Sequence, residues 1–195
     1  VAYSTNPEFT NLIAGNYIVN VKDNKGCKAS VNVNLVNPTP IAIAVSPDVA
    51  LSCFGDTSGV ITAIASFGQG ANYLYTLNTV SQTPVISSGP QASNVFSGLG
   101  EGSYTVTVTD GWGCSITSSE VKITQPTMVQ ANLVVATTQT CLNPTTLTLS
   151  ATGGTGPYTY SPDGIAPYLA IPSPANMITF SVAPGTYHYY VKDVN

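Results

Sequence analysis

Charge is what this sequence has least of. Only 7% of its 195 residues are Asp, Glu, Lys or Arg, against a usual share of about a quarter, so its surface must be wetted by hydroxyls and amides. Lys and Arg together number five, the net charge is −4, and no basic cluster occurs. Nothing is available to neutralise a phosphate backbone, which argues against a nucleic-acid partner. No apolar run approaches the roughly 18 residues of a spanning helix, and no charged-then-apolar leader stands at the N-terminus. The segment is expected not to insert into a membrane, with any signal peptide lying outside it. Four cysteines without CxxC or Cys/His ligand spacing argue against zinc and suit an oxidising compartment. An extracellular location is expected.

Thr, Ser, Asn, Gly, Pro, Val and Tyr dominate instead. A hydrophobic share of 43% is too high for a disordered chain, and the β-branched and aromatic enrichment favours strands over helices. The chain reads as all-β, long enough for two ordinary sandwich domains of about 100 residues each.

One phrase is written three times. It runs Phe9, Leu12, Gly15, Tyr17, Val19, Val21, Asp23, Gly26, Cys27, then Phe96, Leu99, Gly102, Tyr104, Val106, Val108, Asp110, Gly113, Cys114, then Phe180, Val182, Gly185, Tyr187, Tyr189, Val191, Asp193. Tyr17, Tyr104 and Tyr187 recur at intervals of 87 and 83 residues, close to one sandwich domain. A second phrase, with Cys53, Gly68, Gly70, Tyr73 and Tyr75, returns as Cys141, Gly153, Gly154, Gly156, Tyr158 and Tyr160. The division expected is the C-terminal part of one repeat over 1–39, a complete repeat over 40–126, and the N-terminal and central part of a third over 127–195. The chain reads as an excerpt from a longer repetitive polypeptide.

Within the repeated phrase Tyr104, Val106 and Val108 alternate with Thr105, Thr107 and Thr109, the signature of a half-buried strand. The following Asp-Gly-Trp-Gly at 110–113 tolerates positive φ and predicts a hairpin. The Gly-x-Tyr opening resembles the tyrosine corner of immunoglobulin-like sandwiches, with Tyr17, Tyr104 and Tyr187 as equivalents. Strands are expected near 41–52, 60–66, 72–78, 84–87, 93–97, 103–109 and 115–124. The links at Pro38-Thr39-Pro40 and Pro126-Thr127 are short and stiff. The fold expected is tandem immunoglobulin-like antiparallel β-sandwich repeats stacked as a rod.

The unit resembles the SprB repeat of gliding-motility adhesins. The resemblance is carried by Cys53, Gly55 and Gly59, by Gly153, Gly154, Gly156, Pro157, Tyr158 and Tyr160, and by the string from Leu99 to Cys114, closing with Ile123-Thr124-Gln125-Pro126. It implies export by the type 9 secretion route, display on the bacterial cell surface, and adhesion to a substratum during gliding. It also implies contact with the export and motility machinery.

No catalytic, cofactor or metal site is expected. His188, the single histidine, aligns with Thr105 on the outward face, and no nucleophile-elbow sequence accompanies it. Asp23, Asp110 and Asp193 recur at one position. A shared calcium ligand is one reading, but calcium wants six to eight oxygens, and Asp48 and Asp56 are not spaced as a ligand loop. An Asx bond capping the turn is the plainer reading. Trp112, at the tip of the turn, has two readings: stacking on a sugar ring, or packing against the preceding repeat.

Cys53 and Cys114 are the obvious disulfide pair of the complete repeat, yet a standard sandwich puts them at opposite poles. Strands of six to eight residues at about 3.3 Å each leave them about 20 Å apart, against about 6 Å for bridged α-carbons. None of Cys27, Cys53, Cys114 and Cys141 is expected to pair within the chain. In a head-to-tail stack Cys53 would instead face the Cys114 position of the next repeat. The partners expected are therefore neighbouring repeats, with surface glycans or a substratum beyond them. Two functions compete: a stalk segment of a large secreted adhesin, and a carbohydrate-binding or spacer module of an extracellular protein. The second needs a row of exposed aromatics, where this sequence offers Thr, Ser and Asn.

Overall fold

The computed structural model describes residues 3–70, 72–81, 87–138, 140 and 144–195. Every regular element among them is a strand, as the β-branched composition requires.

The chain opens with a hairpin of β1 (Gly15–Lys22) and β2 (Lys28–Leu35), paired antiparallel from Gly15↔Leu35 to Lys22↔Lys28. Then follow β3 (Ala42–Val45), β4 (Val49–Ala50), β5 (Gly59–Ser66), β6 (Leu74–Thr79), β7 (Ser87–Gln91), β8 (Val95–Leu99), β9 (Gly102–Thr109), β10 (Ser115–Thr117) and β11 (Val121–Thr124). They form two sheets: β3-β5-β8, and β4-β11-β9-β6-β7 with β10 also on β9. Strand β4 lies parallel to β11, while the other pairings are antiparallel. This is an immunoglobulin-like sandwich, its first strand shared between the two sheets.

Period-two alternation builds the core. From one sheet come Ile61, Ala63 and Phe96; from the other Tyr75, Leu77, Tyr104, Val106, Val108, Val121 and Ile123, all buried. Val106 and Val108 are fully enclosed, so the apolar half of the alternating string is the half the two sheets share.

The last part of the chain has β12 (Gln130–Thr137), β13 (Thr145–Thr152), β14 (Thr159–Ser161), β15 (Leu169–Ala170), β16 (Met177–Val182) and β17 (Tyr190–Lys192), in sheets β12-β13-β16 and β15-β14-β17. A second core gathers Leu149, Ala151, Tyr158, Tyr160 and Ile171. Phe180 stacks on Tyr189 at 4.9 Å and meets Tyr160 edge-on at 5.2 Å.

Three expected strands differ from those found. The run 41–52 is broken at Ser46-Pro47-Asp48, where the chain leaves β5 for the other sheet. Pro47 has no N–H for a ladder, and Asp48 accepts from the Lys122 N–H at 2.7 Å. The run 115–124 is broken at 118–120, because Ser118 bonds Val106 twice, through its N–H to the carbonyl and its hydroxyl to the N–H. The strand placed at 84–87 falls mostly outside the described residues; the strand found is Ser87–Gln91. Among the described residues it pairs with β6 alone, as an edge strand, where Pro90 costs no bond.

Candidate functional site

The recurring residues converge at the two ends of each unit. At one end stands the corner tyrosine. The Tyr17 hydroxyl donates to the Ile13 carbonyl at 2.8 Å, Tyr104 to Gly100 at 3.0 Å, and Tyr187 to Ala183 at 2.7 Å. Each reaches back four residues; Tyr17 and Tyr104 tie the starts of β1 and β9 to the loops before them, and Tyr187 stands three residues before β17. Burial pushes the Tyr104 hydroxyl above the ordinary tyrosine pKa, which keeps it a neutral donor.

At the other end stands the aspartate turn. Oδ1 of Asp23 accepts from the N–H groups of Lys25 (2.9 Å) and Cys27 (2.8 Å), and Oδ1 of Asp110 from Trp112 (3.0 Å) and Cys114 (2.9 Å). Oδ1 of Asp193 accepts from Asn195 at 3.2 Å. Gly26 and Gly113 close the first two turns at φ 94° and 86°, the left-handed region open to glycine.

The second carboxylate oxygen has a partner that local sequence does not announce. Oδ2 of Asp110 accepts from the Gln69 N–H at 2.8 Å, and Oδ2 of Asp193 from Thr155 at 2.9 Å. Asp110 thus fastens its hairpin turn to the loop between β5 and β6, and Asp193, just after β17, holds the loop between β13 and β14. These backbone bonds, Gln69 first, hold the Asp110 carboxyl below the ordinary aspartate pKa. The same loops carry a further pair of back-reaching hydroxyls, Tyr73 to Phe67 and Tyr158 to Gly153. These are the tyrosines of the second repeated phrase, whose partner was not evident from spacing alone.

Cys27, Cys53 and Cys114 are free and exposed. Cys53 lies in the loop between β4 and β5, and Cys114 in the hairpin turn beside Asp110. Cys141 lies outside the described residues. Asp48 is engaged with Lys122, and Asp56 with the N–H and hydroxyl of Ser58. The Ser58 hydroxyl bond, above all, lowers the Asp56 pKa. His188 is exposed. Among the described residues no three His, Cys, Asp or Glu side chains gather as metal ligands. No helix among them is long and apolar enough to cross a membrane.

An apolar trough of about 480 Å³ lies on the β1–β2 hairpin, lined by Phe9, Leu12, Tyr17, Val19, Val33 and Leu35. Tyr104 and Val106, the counterparts of Tyr17 and Val19, are enclosed by β5 and β8 in the complete sandwich. The trough is therefore the core-facing side of the hairpin, and its apolar lining follows from that role. The outward faces carry hydroxyls in ladders: Thr107 with Thr117 at 2.9 Å, Thr148 with Thr179 at 3.3 Å, Thr137 with Thr146 at 2.6 Å.

Three comparisons bear on this geometry. No curated protein matches the chain. A solved structure from work on the structural basis for Dscam isoform specificity is similar at 16% identity with a TM-score of 0.37. The match covers 92% of this chain and 51% of that one, so this chain spans about half of that structure's length. The family model of the SprB repeat matches residues 49–82, from β4 through the Cys53 loop and β5 to β6. Residues 49–82 of this chain are thus similar to the SprB repeat, a module associated with cell-surface proteins of the adhesin type.

Proposed function

We propose that this chain is a stalk segment of a large secreted adhesin, with units at 1–39, 40–126 and 127–195 stacked in series to hold an adhesive surface away from the cell. The observation that carries this reading is the repetition of one mechanical device. Three corner tyrosines and three turn aspartates make equivalent bonds in all three units. Repetition of a scaffold suits length and load, since function is argued from sites and not from folds. Export by the type 9 route, display on the bacterial surface and service in gliding complete the reading. The hydroxyl ladders offer weak contacts to glycans or a substratum, which many copies in series turn into avidity.

The cysteines serve the same end. Cys53 joins the residue four after the turn aspartate of the next unit, and Cys114 joins the unit before. Two thiols become one disulfide, and two electrons with two protons pass to an extracellular thiol oxidant.

Electron microscopy of the secreted full-length polypeptide tests the stalk. A straight filament lengthening by a constant increment per repeat supports it; loosely hinged beads refute it. Disulfide mapping on the same material tests the cysteines, and a Cys53–Cys114 bond within one unit would refute that pairing.

A further inference from the structure

The three aspartate turns put Lys25, Trp112 and Asn195 in one equivalent place, two residues after the aspartate, each with its N–H on Oδ1. Asn195 does something more with that position. Its side-chain amide leaves its own unit and donates to the Ser52 carbonyl at 2.8 Å, 143 residues away.

Ser52 sits in a loop prepared to receive it. The loop between β4 and β5 is fastened at Leu51, whose N–H donates to the Thr124 carbonyl at 2.8 Å, and at Gly55, whose N–H donates to Gln125 Oε1 at 2.6 Å. Gln125 in turn donates to Glu101 at 2.8 Å. The Ser52 carbonyl is thus presented by a loop tied to β11 and to the loop before β9. Little ordering remains to be done when a neighbour docks, and preorganisation of this kind favours association.

We propose that the hairpin turn of each repeat docks on the β4–β5 loop end of the repeat before it, through the side chain two residues after the turn aspartate. The assignment deepens the stalk reading and rests on its serial stacking. At the complete repeat the docking residue is Trp112. Its indole is 78% exposed and lies over Gly70, which has no side chain to hold it back. Next to the turn is a hollow of about 340 Å³ lined by Pro38, Pro40, Gln69, Cys114 and Ile116, among others. The preceding unit brings Leu12 and Ile13, both exposed, in the loop before its corner tyrosine. An indole between such a hollow and such a loop is the kind of aromatic anchor that dominates protein interfaces. Because the docking residue is Lys, Trp or Asn in successive units, each junction carries its own chemistry, and repeat order becomes a matter of matched pairs.

Two measurements test the assignment. In the 195-residue chain, Asn195→Cys is treated with a short bis-maleimide and mapped by mass spectrometry, with Asn195→Cys/Cys53→Ser as control. A predominant bridge between Cys53 and the thiol introduced at position 195 is expected; bridging to Cys27 or Cys114 in equal yield, or no bridge, overturns the docking. This readout needs no adhesion, so its failure is separate from failure of the adhesin reading. The second uses Trp112, the single tryptophan. A polypeptide carrying the preceding repeat whole should show blue-shifted emission and several-fold weaker iodide quenching than this chain. Unchanged quenching, or quenching relieved only by added polysaccharide, assigns Trp112 to solvent or to sugar and overturns its docking role.

Discussion

The carboxylate of Asp110 holds the backbone N–H of Gln69 at 2.8 Å across 41 residues of sequence, while its other oxygen closes the hairpin turn on Trp112 and Cys114. One side chain thus sets both the turn and its distance from the neighbouring loop. Asp110→Ala should lower the melting temperature of the complete repeat by several degrees. Asp110→Asn should lower it less, because the amide oxygen keeps the turn while the amide NH₂ meets the Gln69 N–H as a second donor. Differential scanning calorimetry of the three proteins checks the order, and an Asp110→Asn variant as stable as wild type would show that the cross-loop bond contributes nothing.

The same contact sets a pH dependence. Hydrogen bonds hold the folded Asp110 carboxyl below its usual value of 3.8, and Asp163 is lowered likewise, first by the Ser161 hydroxyl. A depressed folded pKa means that the unfolded state binds more protons in this range. The stabilisation is complete above the unfolded value and is lost as pH falls through the folded one. Denaturant titrations at descending pH should therefore show wild type falling towards Asp110→Asn below the usual carboxylate range. A gap between them that stays constant through that range would contradict the assignment.

Tyr104 combines a buried ring with the corner bond to Gly100. Tyr104→Phe removes only the hydroxyl and should cost about 0.5–1.5 kcal/mol, the net value of a typical hydrogen bond. Tyr104→Ala empties the core and should cost about 3–5 kcal/mol. Urea unfolding separates the two, and a Phe variant as unstable as the Ala variant would place the corner's worth in the bond rather than the ring.

Gly68 and Gly98 form a matched pair, with φ of 72° and 76°. A Cβ at Gly98 meets nothing within 4 Å, whereas at Gly68 it stands 2.8 Å from Asp110 Oδ2 and 3.1 Å from Ile41 Cβ. Gly98→Ala should lose only the left-handed strain, about 1–2 kcal/mol. Gly68→Ala should lose that and the Asp110 contact as well. Comparison of their denaturation midpoints decides whether the loop is as closely held as the geometry says.

Sequence alone determined the elements whose cause is local. Tyr104, Val106 and Val108 alternate with threonines and are buried on one side, because a strand's two faces are set by odd and even positions. Asp23, Asp110 and Asp193 each bond an N–H two residues on, which needs nothing beyond the turn itself. Pro47 was a local sign that 41–52 could not be one strand, and its missing N–H is the reason. Tertiary structure decided what depends on partners far along the chain. Strand β4 crosses to β11, Oδ2 of Asp110 finds Gln69, and Asn195 reaches Ser52. No periodicity encodes these contacts, since each joins segments far apart in sequence that come together only once the cores have packed.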